Sequence, residues 1–338
     1  MLKKRIVIIS SILLLLGMLL IICNYDNKTY DKFTITDKIK NNQSIQILVV
    51  GDSIGGSTNP DDWCMLVKSE LDEILTSKIY LDNISVPGWK SFAGMINLNN
   101  YRHENANIKS VDLIILCFGQ NDVENNTFPI YYESLIRACK KNYPFAAIAA
   151  VLESSIQKES SKRKEIITLC DYYNIPYADM LQAYEESGKE YEDLTEDWIH
   201  PNAEGKIIYA NEISELIKDN FIEPEFKPTV VEEPLYSESK KYEKTVYIGL
   251  KDLNIKGNTL CVDLEGKTYG GFGIDILLTD HTVSFNINDL KDYEIPWEES
   301  YQARRIIDVD SDIQIDNKLT IEFNEVEDIN RVTGIILY

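Results

Sequence analysis

Ser53 and His200 stand far apart in the chain, yet each has the neighbours that nucleophilic chemistry requires. Ser53 sits in Ile47-Leu48-Val49-Val50-Gly51-Asp52-Ser53-Ile54-Gly55-Gly56-Ser57, an apolar run leading into a glycine-rich bend. Such a run reads as a buried parallel strand, and the glycines let the backbone turn sharply at its end. Three readings fit the bend alone: a nucleophile elbow, a phosphate-cradling loop, or a turn serine with no chemistry. No lysine follows the glycines at Walker spacing, which removes the phosphate loop. A serine nucleophile needs a base, and the base needs a group to orient it. Asp197-Trp198-Ile199-His200-Pro201 supplies both, because Asp and His three apart in a turn can pair while the far ring nitrogen faces outward. Pro201 keeps helix from running through this turn, and Asn202 is a helix N-cap candidate. Acyl transfer also needs donors for an oxyanion. The Ser53 N–H, Gly88 in Ser85-Val86-Pro87-Gly88-Trp89 and Asn121 in Gly119-Gln120-Asn121-Asp122 are the candidates.

The elements that must position these residues alternate in type. Strands are expected at 45–50, 79–86, 111–118, 145–152 and 176–180, with helices near 63–75, 131–141, 158–173 and 203–218. Alternation at these lengths predicts a parallel sheet covered by helices on both faces. Right-handed crossovers then gather the carboxyl ends of the strands, and so Ser53, Gly88 and Asn121, at one edge. After Ile222 the pattern changes. An acidic, proline-marked linker at 223–240 precedes short alternating segments over 241–338, which predict a small antiparallel β-sandwich.

Met1-Leu2-Lys3-Lys4-Arg5 precedes an apolar run from Ile6 to Cys23, long enough to cross a bilayer as a helix. Residues 1–23 are therefore expected to be an uncleaved anchor and 24–43 a stalk. The basic cluster keeps the N-terminus inside, which places everything after it outside the cell membrane. A secreted or lipid-anchored chain is the alternative. The formal charge of −21 argues against nucleic acid as a partner. Cys64, Cys117, Cys139, Cys170 and Cys261 lack metal spacing and read as free thiols among apolar neighbours. His103, His200 and His281 are too dispersed to suggest a metal site, and no cofactor is expected.

Gly51-Asp52-Ser53 after the first strand, Gly88 after the second, Gly119-Gln120-Asn121-Asp122 after the third and Asp197-Trp198-Ile199-His200-Pro201 before the last helix resemble the four blocks of the SGNH (GDSL-type) hydrolases. The resemblance covers about residues 45–220 and departs mildly at Ile54, where leucine is commonest. It implies a three-layer α/β/α, flavodoxin-like fold over 44–222, followed by the β-sandwich. It also implies Ser53 as nucleophile, His200 as base, Asp197 as its orienter, and Ser53, Gly88 and Asn121 as the oxyanion hole. Asp52 and Asp122 are expected to hold their own turns. Trp89 and Trp198 flank the expected cleft and either stack on a sugar ring or pack in the core. The function so implied is an extracellular serine esterase working through an acyl-enzyme, with O-acetyl groups of a cell-surface glycan as substrate. An acyltransferase with the same triad and a catalytically silent glycan-binding protein are the alternatives. Neither substrate identity nor oligomeric state is legible.

Overall fold

The computed structural model describes residues 32–105, 110–228, 230, 233–277, 280–297 and 304–338. The expected anchor at 1–23 and the first part of the expected stalk lie outside them. Among the described residues, no helix is long and apolar enough to cross a membrane.

Five parallel strands form the first sheet: β1 (Ile45–Gly51), β2 (Ile79–Asn83), β3 (Leu113–Cys117), β4 (Ala147–Leu152) and β5 (Tyr177–Asp179), in the order β2-β1-β3-β4-β5. β3 and β4 are buried along their whole length, so their residues are apolar continuously rather than alternately. Helices α1 (Ile35–Lys40), α2 (Trp63–Ile74), α3 (Ser91–Glu104), α4 (Phe128–Asn142), α5 (Ser161–Tyr173), α6 (Met180–Glu186) and α7 (Ala203–Ile217) accompany the sheet. The order reverses between β1 and β3, a switch point where open α/β sheets form their ligand crevice. The turns carrying Ser53 and Asn121 begin at these two strand ends.

The C-terminal region holds two antiparallel sheets. One contains β7 (Asn254–Lys256), β8 (Thr259–Tyr269), β10 (Val283–Ile287), β11 (Lys291–Ile295) and β13 (Ile315–Phe323). The other contains β6 (Val246–Gly249), β9 (Phe272–Leu277), β12 (Arg304–Asp310) and β14 (Val332–Leu337). Leu260, Phe285 and Phe323 of the first sheet share a core with Phe272, Ile274 and Ile335 of the second, which makes a sandwich.

Several expectations change. Residues 35–40 of the expected stalk form α1, whose Ile35 is buried and whose Lys38 makes a 2.8 Å ion pair with buried Asp112. Thr34 and Asp37 close a capping box at its start. Described parts of the expected linker at 223–240 are pinned to the α/β layer. Buried Glu133 of α4 accepts the Tyr236 N–H at 2.8 Å, and the 3₁₀ segment Ser237–Lys244 buries Tyr242. Helix α3 has no counterpart in the sequence reading, because it buries Phe92, Ala93, Met95, Ile96, Leu98 and Arg102 and so lacks one polar face. Short helix α6 is likewise an addition.

The outer face of the β12-β9-β14-β6 sheet packs against the α/β layer. Ile306, Ile336, Tyr338 and Tyr242 join Trp89, Phe92 and Phe128 in a cluster that continues into the parallel sheet. At its edge the Asp308 carboxylate accepts hydrogen bonds from the Tyr131 hydroxyl at 2.7 Å, the Tyr242 hydroxyl at 2.8 Å and the Tyr338 hydroxyl. One carboxylate thus satisfies phenols from α4, from the 3₁₀ segment and from the C-terminus. Asp308→Ala should lower the unfolding free energy by about 2–4 kcal/mol, since three phenols lose their acceptor. Tyr338→Phe should cost only about 1 kcal/mol. Urea denaturation of both variants checks the contrast, and equal effects would contradict it.

Candidate active site

Ser53 follows β1 in a bend that its surroundings hold closely. The Trp63 indole N–H donates to the Ile54 carbonyl at 2.8 Å, and the Asn83 side-chain amide to the Gly55 carbonyl at 3.1 Å. A Cβ on Gly51 would come within 2.8 Å of the Cys117 carbonyl oxygen, and one on Gly55 would run into the Ser85 hydroxyl. These two glycines therefore allow close approach of neighbouring chain to the bend, a role apart from conformational freedom.

His200 comes to Ser53 from the far end of the fold. Its Nε2 lies 2.8 Å from Ser53 Oγ, and its Nδ1 lies 2.7 Å from Asp197 Oδ2. Asp197 Oδ1 accepts the backbone N–H groups of Ile199 at 3.1 Å and His200 at 2.8 Å. This wraps the chain so tightly that Trp198 takes φ +69°, a strained value for a non-glycine residue. The Glu196 N–H to His200 carbonyl bond at 2.8 Å and the Thr195–Pro201 bridge close the turn. Asn202 then caps α7, accepting from Glu204 N and Gly205 N at 3.0 Å each. With the imidazole proton on Nδ1 facing the carboxylate, Nε2 is free to accept from the Ser53 hydroxyl. The arrangement can therefore take a proton from Ser53 and hold the imidazolium that results.

Asn121 lies at the end of β3, and its side-chain amide donates to Asp52 Oδ2 at 2.8 Å. The Lys162 ammonium grips its loop, reaching the carbonyls of Gly119 at 2.6 Å, Gln120 at 3.2 Å and Asp122 at 2.9 Å. Gly88 takes φ +76° in the loop after β2. Its neighbour Pro87 lines the Ser53 pocket, about 270 Å³ in volume, with Ile54, Trp63, His200 and Lys206. Gly88 itself opens onto an adjoining cavity of about 210 Å³ that Trp89, Lys90, Val123 and Arg305 also line. Ser53, Asp197 and His200 are thus brought together, Asn121 is tied in through Asp52, and Gly88 lines the other cavity rather than the Ser53 pocket.

The tryptophan candidates separate. Trp198 is 62% exposed and stacks on Tyr191 with ring centroids 6.4 Å apart. Trp89 is 5% exposed and lies under β12, its indole N–H donating to the Arg304 carbonyl at 3.2 Å. Asp52 holds its own turn through the Ile54 N–H at 2.8 Å. Asp122 does not: it reaches across to the start of α3, accepting the Ser91 hydroxyl at 2.7 Å and the Ser91 N–H at 3.1 Å. Cys64, Cys117, Cys139 and Cys170 are buried free thiols, and Cys261 is a half-buried one. Among the described residues, no group of three or more His, Cys, Asp or Glu is arranged to hold a metal ion.

One residue of this site escaped the sequence reading. Glu153, directly after β4, is fully buried beside Asp52 and accepts the Gln120 N–H at 2.6 Å. Its signal was a lone acid closing an apolar strand at the edge where the other strand ends gather. Burial pushes the Asp52 carboxyl up to about 7, and burial with the Asp52 charge raises Glu153 well above the ordinary range. Burial also raises Asp122.

Asp197 moves the other way: the His200 backbone N–H first, outweighing the rise from burial, and then the imidazole hold its carboxyl below the ordinary 3.8. A folded value below the unfolded one contributes stability above the unfolded value, lost as pH falls through the folded value. Carboxyl NMR titration should place the Asp197 midpoint below 3.8. His200→Ala keeps the backbone N–H and should leave most of that depression in place. A midpoint at or above the ordinary value in the unaltered chain would contradict this account of the turn.

Residues 49–206 match the family of GDSL-like lipases and acylhydrolases. None of the curated proteins matches the chain. Among solved structures, a two-domain esterase active on acetylated mannans, co-crystallised with mannopentaose, is 16% identical. The likeness covers 89% of this chain and 92% of that one at a TM-score of 0.69. A lipolytic G-D-S-L protein from Veillonella parvula is 17% identical over 51% of this chain and 97% of that one, at a TM-score of 0.42. An acetylxylan esterase from Geobacillus stearothermophilus is 17% identical over 53% of this chain and 97% of that one, also at 0.42. The first of these shares the fold across both layers. The match of residues 49–206 to GDSL-like lipases and acylhydrolases, together with the Asp197–His200–Ser53 geometry, supports a serine hydrolase of the carboxylic ester class.

Proposed function

We propose that the chain removes O-acetyl groups from a cell-surface glycan, with Ser53 as nucleophile, His200 as base and Asp197 as its orienter. The single observation that carries this reading is the hydrogen-bonded chain Asp197–His200–Ser53. Ser53 Oγ attacks the acetyl carbonyl as its proton passes to His200 Nε2. The tetrahedral oxyanion takes hydrogen bonds from the Ser53 N–H, the Gly88 N–H and the Asn121 amide. Collapse breaks the bond to the sugar oxygen, which leaves with the proton from His200. Water then repeats the sequence on the acyl-enzyme and releases acetate.

Support for a glycan comes from the fold shared with an esterase whose substrates are acetylated mannans. Exposed Trp198, two residues from His200, offers a ring face of the kind that sugars stack on. Lys3, Lys4 and Arg5 ahead of the apolar run support anchoring with the domain outside.

Ser53→Ala should abolish both acetate release from acetylated mannan or xylan oligosaccharides and labelling by a fluorophosphonate. Full activity in that variant would refute the reading, and acetyl appearing on an added glycan instead of in solution would identify a transferase. Asn121→Ala should lower kcat by about 10²–10³-fold with little change in KM, read on a chromogenic acetate. Trp198→Ala should raise KM for the acetylated oligosaccharide several-fold while leaving the chromogenic acetate unaffected. Equal effects on both substrates would remove the sugar-stacking role.

A further inference from the structure

Two carboxyls lie side by side beneath the serine turn, both 0% exposed. Asp52 turns one oxygen to the Ile54 N–H and the other to the Asn121 amide, each at 2.8 Å. Glu153 turns one oxygen to the Gln120 N–H at 2.6 Å, and the Cys117 thiol lies 3.5 Å from the other. Cys117 ties the two acids together, since its carbonyl accepts the Asp52 N–H at 3.1 Å while its thiol faces Glu153. The two carboxyls lie within interacting reach of each other. Two buried carboxylates so placed repel strongly, so one of the two must hold a proton.

The groups around the pair decide which acid keeps it. Asp122 adds negative charge from the loop after β3. From β3 and α4 come the Cys117 thiol and the Tyr132 phenol, both neutral and both pushed well up by burial. The Lys162 ammonium of α5 is engaged with the carbonyls of Gly119, Gln120 and Asp122. Asp52 already receives two donors that favour its anion, whereas Glu153 receives one N–H and a weak thiol. The proton therefore belongs on Glu153, which can donate it to Asp52.

We infer that Glu153 is a positioning residue of this centre: as a neutral acid it bridges Asp52 and the Gln120 N–H, and so sets the Asn121 amide in place relative to Ser53. The bridge joins the ends of β1, β3 and β4. The Asp52 turn bears the nucleophile, and the Gln120 loop bears the oxyanion donor. Loss of the bridge frees one loop to move against the other, and oxyanion stabilisation depends on that separation more than substrate binding does. The inference rests on the proposed ester hydrolysis at Ser53, and Ser53→Ala assayed in parallel separates the two.

Glu153→Gln and Glu153→Asp test it, with kcat, KM, melting temperature and pH profile measured on a chromogenic acetate. Glutamine copies the neutral acid, accepting from Gln120 and donating to Asp52. Aspartate keeps the charge type and lacks the reach. Glu153→Gln should hold kcat within about threefold and superpose on the wild-type pH profile across the neutral range. Glu153→Asp should lose roughly tenfold or more in kcat with KM nearly unchanged. Folded Glu153→Gln with kcat down tenfold, or a shifted profile, overturns the inference, as does Glu153→Asp with wild-type kcat. Should Glu153→Asp fail to fold, Glu153→Gln decides alone. If Ser53→Ala is fully active, the hydrolytic reading itself falls.

Discussion

Burial of the Asp52 carboxyl directly before Ser53 is the constraint around which the centre is arranged. A carboxyl taken wholly out of water must find hydrogen bonds for both oxygens or hold a proton. Asp52 meets that demand with the Ile54 N–H, the Asn121 amide and Glu153. Each partner is a part of the site: the bend that presents Ser53, the loop after β3, and the end of β4. The same need for satisfaction that makes a buried acid costly thus registers three strand ends against one another. The end of β4 also reaches α7, since the Tyr209 hydroxyl donates to Ser154 Oγ at 3.1 Å and accepts the Ser154 N–H at 3.0 Å. The helix that follows His200 is therefore referenced to the strand end that contacts Asp52.

The sandwich is joined to this frame by an apolar cluster rather than a tether. Helix α3 lies between the parallel sheet and β12, so residues 91–96 are buried all round. Buried Asp275 in the same outer face is neutralised by Arg304, whose guanidinium also lies 5.9 Å from the Trp89 ring centroid. Through Arg305, Ile306, Ile307 and Asp308 the sandwich forms part of the wall of the cavity beside Gly88. The second layer is thereby part of the surroundings of the site, which a flexible linker would not achieve.

The His200 turn is held in a different way. Asp197 and His200 are both substantially exposed, so their alignment comes from local wrapping rather than from burial. Asp197 holds two backbone N–H groups with one oxygen and the imidazole with the other. The cost is the left-handed backbone at Trp198, and its consequence is an indole set out in solvent and stacked on Tyr191.

Much of this was legible in the residues. Apolar runs ending in Gly51-Asp52-Ser53 and Gly119-Gln120-Asn121-Asp122, with helical periods between them, specify a parallel sheet and the edge where its loops gather. Asp197 and His200 are three apart, so their pairing is a local matter that spacing alone can express. Helix α3, the docking of Tyr236 and Tyr242 and the fate of Trp89 were not legible, because each depends on what covers it. An apolar helix face and an apolar tryptophan read alike whether a sheet lies above them or water does. Glu153 was hidden for the same reason, since a lone acid after a strand acquires its meaning only when the fold buries it against another. By itself the sequence determined which residues can attack, accept a proton and pair locally. Tertiary structure alone decided how far apart Ser53 and His200 lie and which carboxyl must stay neutral, because distance and desolvation are properties of the packed chain.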